Sequence, residues 1–94
     1  MRDISLDGNK IVDKASFYKE IEAKLAARLD FLMEENIDSF IDILAAISKE
    51  GDPVHITWEN YANSRENMSE SFLGVIIEIF DMFENKELSY DLND

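Results

Sequence analysis

Apolar residues along this chain recur either at every second position or at every third and fourth, and each change of spacing marks a new element. Ile4 and Leu6 alternate with polar neighbours and run into Asp7-Gly8-Asn9, residue types that tolerate positive φ, which predicts a short strand ending in a turn before residue 8. Phe17, Ile21 and Leu25 then fall at i, i+4 and i+8. Capped by Asp13 or Ser16, they predict a helix to about Arg28 with Glu20, Glu22 and Lys24 facing outward. Asn36 can cap a second helix whose inner stripe is Ile37, Phe40, Leu44 and Ile47. Gly51-Asp52-Pro53 breaks that pattern, and Val54, Ile56 and Trp58 alternate with His55 and Thr57 as a strand led by proline. A helical turn through Tyr61 follows. Asn67, with Glu70 three residues on, reads as a capping box opening a long helix to about Asn85. Apolar residues cover most of its circumference and leave only a narrow polar line through Gly74, Glu78, Asp81 and Asn85, so this helix is expected to be mostly buried. Leu88, Tyr90 and Leu92 alternate as a closing strand. Strands separated by helices predict an α/β fold with a parallel sheet and right-handed crossovers.

The 94 residues suit one domain, residues 1–94, and 46% hydrophobic against 32% charged residues supplies enough apolar material for a core. Charge changes the picture more. A formal −12, from 21 acids against 9 bases, repels phosphate backbones and anionic lipid, so neither nucleic acid nor membrane is an expected partner. The same field attracts cations and basic proteins. The absence of Cys removes disulfides, thiolate metal sites and a Cys nucleophile and is compatible with a reducing cytosol. The N-terminus MRDISLDGNK lacks the apolar core of a signal peptide, which makes a cytoplasmic location the expectation.

The charge concentrates in EENIDSFIDIL, residues 34–44, where Glu34, Glu35, Asp38 and Asp42 stand with no Lys or Arg between Leu29 and Ser48. At 100° per residue Asp38 and Asp42 lie one turn apart opposite the apolar stripe, and their helical neighbours Ser39, Ala45 and Ala46 are small. Two carboxylates at this spacing match a retaining glycosidase pair, but a helix ledge offers no cleft to desolvate one of them. Residues 7–13, DGNKIVD, lack the Asp/Asn and Gly that a calcium loop needs at its fifth and sixth places. His55, alone and mid-strand, reads as a hydrogen-bonded structural imidazole; Trp58 and Tyr61 read as core plugs with their polar tips outward. Gly8 and Gly51 belong to no phosphate-binding spacing, and no cofactor or metal is expected. The acidic ledge remains, as a solvated face or as a docking surface. A helix acidic only for solubility would place Lys at i+4 to its acids, and this one forgoes that stabilisation.

At three places the chain resembles the barstar family, intracellular inhibitors of the bacterial ribonuclease barnase. ENIDSFIDIL is similar to the family's acidic helix, PVHITWENYANS to its Pro-led strand, Trp and following turn, and ESFLGVIIEIF to its last helix. The resemblance runs from ISLDGNKI to LSYDL and implies a three-stranded parallel sheet covered by about four helices. It also implies a non-enzymatic immunity protein whose acidic helix plugs a basic ribonuclease, from barnase-like enzymes to other nuclease toxins, with carboxylates where RNA phosphates would lie. Carried over by position, Asp38 and Asp42 match the two Asp of that helix and Glu78 matches the contacting Glu of the last helix. The remaining contacts fall on Ala45, Ala46 and Ile47, with Leu32, Glu34, Glu35 and Ile41 around them. Leu32 stands where the family has a Tyr, Ile41 where it has a Trp, and Glu34 where it has a Gly, changes that remove aromatic anchors and add charge. Such an inhibitor is expected to be monomeric when free. A different class, a scaffold pairing through the apolar last helix near Ile77, is the alternative.

Overall fold

The computed structural model describes residues 2–29, except the Arg28 side chain, together with 33–85 and 87–94. Strand β1 (Arg2–Asp7) pairs in parallel with β2 (Val54–Glu59), and β2 with β3 (Leu88–Leu92), so that Ile4, Ile56 and Tyr90 stand side by side. Parallel neighbours need long crossovers. Helices α1 (Lys14–Lys24) and α2 (Ile37–Ser48) provide the first, α3 (Tyr61–Asn67) and α4 (Glu70–Phe83) the second. The three-stranded parallel sheet and α/β class expected from the sequence are therefore present.

The period-two patterns of the strands divide the sheet into an apolar and a polar face. Ile4, Leu6, Val54, Ile56, Trp58 and Leu88 are buried on the core side. Asp3, Ser5, His55, Thr57, Ser89 and Asp91 occupy the alternate positions. Phe17 of α1 sits at the centre of the core, stacked on Trp58 at 5.9 Å and edge-on to Phe40 at 5.3 Å and Phe72 at 5.7 Å. One ring thereby joins α1, α2, β2 and α4.

Both candidate caps of α1 act at once: the Asp13 carboxylate accepts the Ser16 N–H at 2.8 Å, and the Ser16 hydroxyl accepts the Asp13 N–H at 3.0 Å. The helix ends at Lys24, and a 3₁₀ turn at Ala26–Leu29 carries the chain on. Glu20 corrects the expectation of an outward side chain, being 6% exposed. Its carboxylate accepts the Asp7 N–H at 2.8 Å and lies 3.7 Å from the Lys24 ammonium, which itself donates to the Ser5 carbonyl at 3.3 Å. Odd-numbered residues of β1 turn their backbone groups away from β2, as the bond from the Arg2 N–H to the Pro53 carbonyl (2.9 Å) requires. The Glu20–Lys24 pair thus satisfies the outward Asp7 N–H and Ser5 carbonyl at the C-terminal half of the β1 edge. Glu20→Ala should lower stability by about 1–3 kcal/mol through the orphaned N–H, whereas Glu20→Gln, which keeps an acceptor, should lose clearly less in urea unfolding. Equal losses would place the effect in the ion pair instead.

Other departures follow from contacts that no local pattern shows. The Trp58 indole N–H points inward, not outward, and donates to the buried Ser64 hydroxyl at 3.0 Å. Ser69, not Asn67, caps α4 by accepting the Phe72 N–H at 3.3 Å, while Asn67 ends α3 and donates to the Asn63 carbonyl at 2.7 Å. Helix α4 stops at Phe83 because Asn85 opens the turn into β3, its side-chain oxygen accepting from Glu87 and Leu88. Nor is α4 mostly buried: Phe72, Leu73, Ile76, Ile79 and Phe80 are covered, Ile77 is half-buried, and Val75 and Met82 are exposed.

Burial raises the pKa of the Tyr18, Tyr61 and Tyr90 phenols, and for Tyr90 the hydrogen bond to Asp81 and that carboxylate's charge raise it further. A raised phenol favours the fold fully below the unfolded value near 10 and loses that contribution as pH rises through the folded value. Stability should therefore fall above about pH 10, and Tyr90→Phe should make the fall shallower in urea titrations across that range.

Candidate protein-binding face on α2 and α4

Helix α2 begins where the sequence predicts. The Asn36 side-chain oxygen accepts the Ser39 N–H at 2.8 Å, with Asn36 itself extended at φ −151 and ψ 164. The segment before it is tied down as well: the Glu34 N–H donates to the Ser39 hydroxyl at 3.2 Å, and the Asn36 side-chain amide donates to the Glu34 carboxylate at 3.2 Å. Phe40, Ile43, Leu44 and Ile47 are buried, and Phe40 meets Phe80 of α4 edge-on at 5.4 Å, which fixes the two helices side by side.

That fixed inner face determines which side chains remain accessible. Asp38 and Asp42 are both exposed on α2, Glu78 is exposed on α4, and Glu34 and Glu35 are exposed just ahead of α2. Ala45 and Ala46 are half-buried, as is Ile41, which packs against the core. The side chain of Ile47, which the resemblance places among the contacts, is buried in the core, as the inner stripe predicts. Leu32 lies outside the described residues. The sequence signal missed Ile43, whose inward position widens the buried stripe and brings Ile41 only to its margin.

Electrostatically the face is one-signed. Ion pairs among the described residues join Arg2 to Glu50 and Lys24 to Glu20, His55 is hydrogen-bonded to Asp91, and none of these reaches Glu34, Glu35, Asp38, Asp42 or Glu78. Asp38, in the first turn, is favoured by the helix dipole; Asp42, a turn further on, lacks that help and faces Asp38 as a like charge. The charge of Glu35 adds to burial in pushing up the Tyr18 phenol. Exposed carboxylates on a rigid helix suit bidentate, charge-assisted bonds to Arg and Lys of a partner.

His55 is hydrogen-bonded as expected, its ring spanning β3 with Nδ1 2.7 Å from the Ser89 hydroxyl and Nε2 3.0 Å from the Asp91 carboxylate. These groups lie on the polar sheet face, away from the acidic helix. Among the described residues no His, Cys, Asp and Glu group could hold a metal ion, and no helix is long and apolar enough to cross a membrane.

No curated protein matches the chain. The profile of a family described as Barstar (barnase inhibitor) matches residues 1–91. That span takes in β1, β2, α1 to α4 and all of β3 but Leu92, with α2 and α4 in the order the sequence resemblance requires. The chain belongs to the barstar family of barnase inhibitors.

Proposed function

We propose that this protein inhibits a basic ribonuclease by seating α2 in the enzyme's active site. Asp38 and Asp42 take the places of RNA phosphates, Glu78 adds a contact from α4, and Glu34, Glu35, Leu32, Ile41, Ala45 and Ala46 form the surround. The observation that supports this most is the exposed Asp38–Asp42 pair, one turn apart on a helix whose other face is locked into the core, with no cation paired to either among the described residues. The protein catalyses nothing and works by occlusion. Its −12 charge speeds encounter with a cationic enzyme, and desolvated contacts then set the lifetime of the complex. Residues 1–94 act as one domain in the cytoplasm, monomeric until bound, as an immunity protein against a nuclease toxin.

Amide shift mapping with an inactivated barnase-type ribonuclease tests the placement. Perturbations should centre on residues 34–46 and on Glu78; a centre on the polar sheet face would contradict it. A second reading, self-association through α4, draws on Met82 at 72% and Val75 at 42% exposure, and on an open groove of about 330 Å³ lined by Tyr61, Leu73, Gly74 and Ile77 together with the charged Arg65 and Glu70. It requires a mass that rises with concentration in light scattering, where the inhibitor reading requires a constant monomer.

A further inference from the structure

The two edges of the sheet are finished differently. Along β1 the outward Asp7 N–H and Ser5 carbonyl are taken by Glu20 and Lys24, and of its outward residues only Asp3 keeps both backbone groups unbonded among the described residues. Along β3 the register is fixed at both ends by the Val54 N–H donating to the Glu87 carbonyl at 2.8 Å and the Asn93 N–H donating to the Trp58 carbonyl at 2.9 Å. Alternation along a parallel ladder then makes Ser89 and Asp91 the residues bonded to β2 and turns the backbone groups of Leu88, Tyr90 and Leu92 outward. The Asn85 turn closes off Leu88: the Leu88 N–H donates to the Asn85 side chain at 3.2 Å, and the Leu88 carbonyl accepts the Asn85 N–H at 2.8 Å. The N–H and C=O of Tyr90 and Leu92 bond to nothing among the described residues.

We infer that this open edge of β3 accepts an extended segment of a basic partner protein as a fourth strand. Two unsatisfied donor–acceptor pairs at strand spacing define the backbone chemistry of the occupant. Side chains define the rest. On the polar face the edge presents Asp91, 71% exposed and bonded through one oxygen to His55. On the other face it presents Leu92, 39% exposed, and half-buried Tyr90 two residues before it. An added strand would therefore alternate a cation opposite Asp91 with apolar residues against Tyr90 and Leu92. A second copy of this chain fits poorly: antiparallel pairing of Tyr90 with Leu92 of the other copy sets Asp91 against Asp91, and each copy carries −12. This surface is separate from the acidic face of α2, so its test does not depend on the ribonuclease reading.

The probe is a short blocked peptide alternating Lys and Val, titrated against the full chain with amide shifts and amide exchange as readouts. Tyr90 and Leu92 amides should shift and exchange more slowly, and a Glu–Val peptide should leave them unchanged. Leu92→Pro removes one outward N–H while leaving the ladder bonds of Asp91 and Asn93 in place, and should weaken binding about tenfold. Asp91→Lys, a surface change that leaves the backbone untouched, should weaken it similarly. The inference is overturned if neither amide responds, if the response centres on α2, or if both variants bind as the parent does. It is equally overturned if β3 amides become protected with protein concentration alone, which would assign the edge to a second copy.

Discussion

Asp42→Ala should weaken binding to the target ribonuclease at least 100-fold while leaving the fold as stable as before or slightly more so. Removing one member of a desolvated charge pair costs about 3 kcal/mol or more, because the partner's Arg and Lys stay buried without their acceptor. In the free protein the same side chain is exposed and has no hydrogen bond or ion pair among the described residues. Alanine is the better helix former, and the substitution also relieves the like-charge contact with Asp38, so about 0.5 kcal/mol of stability should be gained. Asp38→Ala differs, since losing a first-turn acid should destabilise by about 0.3–1 kcal/mol. Calorimetric unfolding and inhibition titrations on the same samples separate the two effects. Parallel losses of stability and binding in Asp42→Ala would mean that the residue supports the fold rather than a partner.

The second large effect is expected far from the acidic helix. Gly8→Ala should destabilise at or above the upper end of the ~1–3 kcal/mol typical of overpacking. A Cβ at residue 8 would stand 2.2 Å from the Asn60 carbonyl oxygen and 2.4 Å from that of Glu59, both backbone atoms that cannot rotate aside. Gly8 is also where the ends of β1 and β2 are joined: its N–H donates to Glu59 at 2.7 Å, and its carbonyl accepts from Ser64 at 3.0 Å and Asn63 at 3.1 Å. Separation would break those bonds and shift the Ser64 hydroxyl that holds Trp58. Gly51→Ala should be milder, about 1 kcal/mol, because its φ of 85 carries the strain of positive φ while open space surrounds it. Urea midpoints rank the two; a Gly8→Ala protein as stable as the parent would refute the close approach.

Gly8 also shows where sequence reading stops. Its place after Ile4 and Leu6 suggested a turn glycine tolerating positive φ, yet the residue with positive φ nearby in space is Asn60, at φ 54. Gly8 is small because another strand's end approaches it, a contact across more than fifty residues. Glu20 was unreadable for the same reason, since its burial depends on the edge of β1. The strands and α2 were legible because each is buried on one side only, so alternation and the Phe40–Leu44–Ile47 stripe map directly onto the core. Helix α3 was not, because YANSREN has no apolar stripe and is held by the Trp58–Ser64 bond and the Tyr61 ring instead. Its unrecognised length moved the start of α4 from Ser69 to Asn67. On the candidate site, Asp38, Asp42 and Glu78 were legible as exposed acids. Ile47, which the resemblance adds to the contact set, lies on the inner stripe that periodicity assigns to α2, and its side chain is buried there while Ala45 and Ala46 stay half-buried.

Occlusion by α2 is tested by titrating the protein into a barnase-type ribonuclease and following RNA cleavage at low and high salt, with Asp42→Ala alongside. Stoichiometric inhibition is expected at low salt, slower association at high salt as screening shortens the reach of the −12 field, and a loss of inhibition in the variant. Undiminished inhibition by Asp42→Ala, or cleavage unaffected by the parent protein at any salt, would contradict it.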